Sequence, residues 1–68
     1  MKAKIVSVKI NSRESEMRLR AGEKGKGQIL HSVRYWPWST PSFDSAYQMI
    51  CNEADRIGAQ IVFAPYND

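Results

Sequence analysis

Residues 34 to 38 read Arg-Tyr-Trp-Pro-Trp: one guanidinium and three large aromatic rings in five positions, with a tryptophan on each side of a proline. Trp, Tyr and Arg dominate the binding energy of protein interfaces. Aromatic rings beside cations also serve as stacking platforms for unpaired bases. Both are the chemistry of adhesion, not of bond making. A residue before proline is pushed toward extended geometry, so Trp36 and Trp38 are expected to project to one side and Tyr35 to the other. The candidate partner contacts are therefore Arg34, Tyr35, Trp36 and Trp38, rimmed by Arg18 and Arg20, with Lys9, Lys24 and Lys26 as phosphate contacts. The competing expectation is that a small core needs volume and takes at least one tryptophan inside, near Phe43.

Other chemistry is harder to build. Cys51 as nucleophile with His31 as base is the obvious pairing, but Cys51 follows Tyr47 by four residues on an apolar helical stripe, the usual place of a small buried thiol. His31 alternates with Val33 and Tyr35 and reads as a hydrogen-bonded histidine at a sheet–helix boundary. Glu53 and Asp55, two apart on a helix, diverge, and Glu14 and Glu16 have arginine neighbours. One cysteine and one histidine provide neither an internal disulfide nor a zinc site. The segment Gly-Glu-Lys-Gly-Lys-Gly at 22–27 has the residue types of a phosphate loop, but it lacks the terminal Gly-Lys-Ser/Thr and joins two strands where that motif needs a helix. No catalytic residue, cofactor or metal is expected.

The elements that must position the aromatic cluster follow from periodicity. Residues 2–10 are rich in β-branched side chains and read as a strand. Asn11 and Ser12 supply a turn, which would set Lys9 opposite Glu14 and Val6 opposite Met17. From Glu14 a period of two points Met17, Leu19 and Ala21 inward and Glu14, Glu16, Arg18 and Arg20 outward. Residues 22–27 form a hairpin loop and 28–36 a third strand. A six-residue loop pairs Ala21 with Gln28. A longer or bulged one pairs Ala21 with Ile29 and sets Arg34 against Glu16, and this second register is preferred because it keeps Arg34 out of the core. Ile29, Val33 and Tyr35 would then face the core, leaving Arg34, Trp36 and Trp38 beside Arg18, Arg20 and Lys9 on an open face.

After Pro41, the residues Phe43, Ala46, Tyr47, Ile50, Cys51, Ala54 and Ile57 form one helical stripe. Ser42 or Thr40 would cap its start, Asp44 would sit in the first turn, Arg56 in the last, and Gly58 would stop it. Residues 60–66 read as a short final strand that Pro65 ends. The expected fold is a single α+β domain over residues 1–68, in the order β-β-β-α-β, an antiparallel sheet with one amphipathic helix on one face.

Composition limits the function. At 68 residues the chain has little room for a deep pocket. No apolar stretch approaches the roughly 20 residues of a membrane span, and the polar–apolar alternation of residues 1–10 differs from a signal peptide, so a cytoplasmic protein with no membrane partner is expected. Residues 1–34 hold nine Lys/Arg against three Glu, whereas 35–68 hold Arg56 against four acids. The basic half suggests an acidic partner. The first expectation is a non-enzymatic binding protein that docks on a host protein or nucleoprotein complex and blocks it sterically. Its size, and nothing more, is that of small accessory or phage-encoded inhibitors, the anti-CRISPR kind included. The alternatives are a direct binder of single-stranded RNA or DNA and a homodimer that buries the aromatic face.

Overall fold

The computed structural model describes residues 1–63 of the chain. The elements are β1 Lys2–Lys9, β2 Ser15–Ala21, β3 Ile29–Tyr35, α1 Thr40–Ile57 and β4 Gln60–Ile61. This is the expected α+β order. The last strand is shorter than expected, since Val62 and Phe63 lie beyond it, and Ala64, Pro65 and Tyr66 lie outside the described residues.

The strands form one sheet in the order β3-β2-β1-β4. The β1–β2 and β2–β3 pairs are antiparallel, but β4 runs parallel to β1. The sheet is therefore mixed and not wholly antiparallel. The helix explains this: it carries the chain back to the end of the sheet where β3 began, so the next strand enters in the direction of β3 and hence of β1.

Burial of alternate residues decides everything else about the sheet. On β2, Ser15, Met17 and Leu19 are buried, and they meet Ala3 and Tyr35 from the flanking strands and Ala46, Ile50 and Ala54 from α1. Met17, Leu19 and Ile50 are the largest fully buried side chains. Each contributes on the order of 1.5–3 kcal/mol relative to exposure. The expected helical stripe is the one that faces the sheet, with Tyr47 and Ile57 packed at its margins. Phe43, expected within it, is instead 42% exposed.

The β1–β2 register differs from the expected one by a single residue. Lys9 pairs with Ser15, and Val6 pairs with Arg18. The cause is the Asn11 side chain, whose Oδ1 accepts from the amides of Arg13 and Glu14, both at 2.8 Å. The Ile10 and Asn11 amides close the turn on the Glu14 carbonyl. This side-chain turn takes Glu14 into the connection, and the slip exchanges the faces of β1. Ala3, Ile5 and Ser7 thus lie on the helix side, and Lys4, Val6 and Val8 on the open side.

The preferred β2–β3 register holds from Ser15–Tyr35 through Leu19–His31, with Glu16 opposite Arg34. A shift then places Arg20 opposite Ile29 and leaves Leu30 as the extra residue of a bulge. Ala21 bonds to the Gln28 carbonyl instead of pairing with Ile29. The bulge turns Ile29 out, 43% exposed, and brings Leu30 against the core.

Ser39, not Thr40 or Ser42, caps α1, its Oγ accepting from the Ser42 amide. The helix can begin before Pro41 because a first-turn residue needs no donor. Starting this early leaves no acid in the first turn, so Asp44 does not interact with the helix end as expected. Arg56 lies in the last turn, and Gly58 ends the helix at φ 73°, the left-handed conformation that glycine adopts without strain.

The bulge makes a measurable forecast. Leu30→Ala is expected to lower the unfolding free energy by about 1–3 kcal/mol, and Ile29→Ala by no more than about 0.5 kcal/mol. Urea denaturation of the two variants checks the order, which simple alternation along β3 would invert.

Candidate interaction surface

The aromatic cluster divides at Tyr35. Tyr35 is only 7% exposed. Its hydroxyl donates to Ser7 Oγ at 3.1 Å, and Phe43 meets its ring edge-to-face with centroids 5.5 Å apart. It is a core residue that supports the surface, not the partner contact expected of it.

Both tryptophans lie outside, Trp36 51% and Trp38 70% exposed. No tryptophan fills the core, which the methionine, leucine and isoleucine side chains occupy. The two indoles stack on one another, centroids 5.5 Å apart and 8° from parallel. The slab they form has a rigid mount. The Trp36 carbonyl accepts from Ser39, the helix cap, and the Trp36 amide donates to Ser42 Oγ at 2.8 Å. Ser42 thus anchors the aromatic segment to the helix start. Mutual stacking shields one face of each ring without burying the pair.

The apolar surface continues past the slab. Phe43 follows Ser42 and stacks on Tyr47, centroids 6.3 Å apart. These two rings line a groove of about 640 Å³ together with Ile5, Ser7, Ile61 and Phe63. Burial, and the nearby Cys51 thiol, push the Tyr47 phenol above its ordinary range. Phe43 and Phe63 were not among the residues expected to contact a partner. The helical spacing that assigned Phe43 to the core concealed it, and Phe63 carried no distinguishing signal.

Most of the sheet's cations gather on one face. Lys4, Arg18, Arg20 and Arg34 share the open face of the sheet, as the strand registers require. Lys9 does not join them: its partner is buried Ser15, so it lies on the helix side at the end of β1. Lys4 takes its place. Glu16 bonds Arg18 at 2.6 Å and lies 3.9 Å from Arg34, and Arg20 donates to the Gly27 carbonyl at 2.9 Å. Glu14 belongs to the Asn11 turn, where it accepts from the Asn11 side chain.

The remaining chemical groups stay dispersed. Cys51 is half-buried beside Tyr47. His31 lies on the helix side of β3, and the Glu53 carboxyl is held below its ordinary range chiefly by the hydrogen bond from Arg56. Among the described residues no three His, Cys, Asp or Glu side chains gather to hold a metal ion, and no helix is long and apolar enough to cross a membrane. No protein-family model, no curated protein and no solved structure matches the chain. The geometry is therefore the basis for any functional reading.

The division of the cluster can be read by substitution. Tyr35→Ala is expected to lower stability by about 3 kcal/mol or more, as for other buried aromatics. Trp38→Ala, at a far more exposed position, should change it by under about 1 kcal/mol. Thermal and urea unfolding of the two variants measure the contrast.

Proposed function

We propose that this protein is a non-enzymatic docking module that binds a partner protein through the Trp36–Trp38 slab and the apolar surface beside it. The observation that carries the reading is the exposure of two stacked tryptophans on a mount fixed by backbone and serine hydrogen bonds. A rigid aromatic anchor loses little conformational entropy on binding and gains the burial of large rings.

A protein partner suits this surface better than a row of bases. The tryptophans stack on each other, leaving no gap for a base between them. The neighbouring rings and the groove are apolar, and only Lys4 among the groove residues is charged. Docking of this kind acts by occupancy: the bound module covers a surface that a host protein or nucleoprotein assembly needs for another contact. An exposed aromatic patch is a liability in a free chain, and a partner removes it.

Affinity capture with the wild-type chain, followed by a binding titration with the captured protein, tests this. Trp36→Ala and Trp38→Ala are each expected to weaken binding by about 2 kcal/mol or more while the fold is retained. Raising salt from about 0.05 to about 0.5 M should have little effect on a contact dominated by aromatic burial. Binding untouched by either substitution would contradict the proposal. A doubled mass in solution with both indoles shielded would assign the slab to a second copy of the chain instead.

A further inference from the structure

The open face of the sheet, on the side away from the helix, carries a second and different kind of surface. Lys4, Arg18, Arg20 and Arg34 lie on it, against Glu16 as the one carboxylate of that face among the paired strand residues. The period of two was expected to turn Glu14 and Glu16 outward beside Arg18 and Arg20. Glu14 is held in the turn, and Glu16, with its side chain only 18% exposed, sits between Arg18 and Arg34. Its charge is spent on aligning those two guanidiniums.

The glycine-rich loop at 22–27 adds to this face. Gly25 is buried at φ 67°, and a Cβ there would come within 3.1 Å of Val6 Cγ1 and 3.2 Å of Lys4 Cβ. Val6 and Lys4 are open-face residues, so the loop folds back over that side of β1. The bend requires glycine both for its positive φ and for the close approach. Lys24 and Lys26, exposed, flank Gly25 in this loop beside Lys4. Its own acid, Glu23, is paired with Lys2 at 2.7 Å.

We infer that Lys4, Arg18, Arg20 and Arg34, extended by Lys24 and Lys26, form a track for the phosphodiester backbone of a nucleic acid, separate from the tryptophan slab. Guanidiniums match phosphate geometry in pairs, and lysines on a mobile stem follow a flexible chain of charges. No aromatic ring lies on the strand positions of this face, whose apolar residues are Val6, Val8 and Ile29. It therefore reads charge and not bases. An acidic protein is the less suited partner, since the core of a protein interface is depleted of charged residues, whereas Glu16, Arg18 and Arg20 of the central strand occupy the middle of this face. The inference goes beyond the docking proposal and survives its failure, because it rests on the cations of the sheet and not on the indoles.

The test is a fluorescence-anisotropy titration of the full chain with an oligothymidylate of about 16 nucleotides and with a duplex of equal length, across a salt series. The expected result is binding to both, weakening steeply as salt rises, because each phosphate neutralised on a single strand contributes about −0.7 to the slope of log K against log salt. Lys4→Gln, Lys24→Gln and Lys26→Gln combined should flatten that slope by about 2 units, with an unchanged circular-dichroism melt showing the fold intact. Trp36→Ala should leave it unaltered. The inference is overturned by no binding at low salt, by a slope unchanged in the triple variant, or by equally tight binding of polyglutamate. Loss of oligonucleotide binding in Trp36→Ala would also overturn it, by transferring the contact to the indoles.

Discussion

Strand β2 lies between β1 and β3, and its side chains can face only two ways. One face must be buried, because α1 offers a single apolar stripe and a chain this short has no second layer to cover the other side. Met17 and Leu19 take the helix side and are fully buried there with Ile50. Glu16, Arg18 and Arg20 are thereby fixed on the opposite face. Through the strand registers the same choice places Arg34 and Lys4 beside them. The basic surface is thus a consequence of core burial, and the proposed function of that surface depends on the burial of two side chains on one strand.

The tryptophans escape this two-sided rule because they follow the end of β3. Tyr35, the last residue of the strand, turns into the core and bonds Ser7. Beyond it the chain must leave the sheet and start a helix. Ser39 and Ser42 make that passage rigid by tying the Trp36 backbone to the first helical turn. A connection that only reversed the chain would not need two indoles. Their cost to a free protein is exposed apolar area, and their stacking offsets part of it. Function enters the account here, since folding alone gives no reason for either ring.

Much of this was legible in the residues. The stripe from Phe43 to Ile57 identified the helix, although Phe43 itself stays exposed, and the charge match of Glu16 with Arg34 selected the β2–β3 register. Both depend on local periodicity or on a pair that only one register allows. What was not legible arose from geometry that residue type does not encode. The Asn11 side chain acts as a piece of backbone and adds one residue to a turn, which moved Lys9 off the open face. Leu30 forms a bulge at the start of β3, just after the loop that leads into it. The parallel entry of β4 was readable in principle, because a single helix after β3 returns the chain to the same end. Among the aromatic residues, the alternation of Tyr35 against the two tryptophans was foreseen, but their stacking against each other and the continuation through Phe43 to the groove were not.

The central claim is that the aromatic cluster splits, with Tyr35 inside and both indoles presented to a partner. Proton relaxation by a soluble, uncharged paramagnetic probe measures this most directly, residue by residue and without mutation. The account predicts strong broadening of the Trp36 and Trp38 ring signals and protection of Tyr35, Met17 and Leu19. Protection of both indoles in the monomeric protein would place them in the core and remove the proposed binding surface.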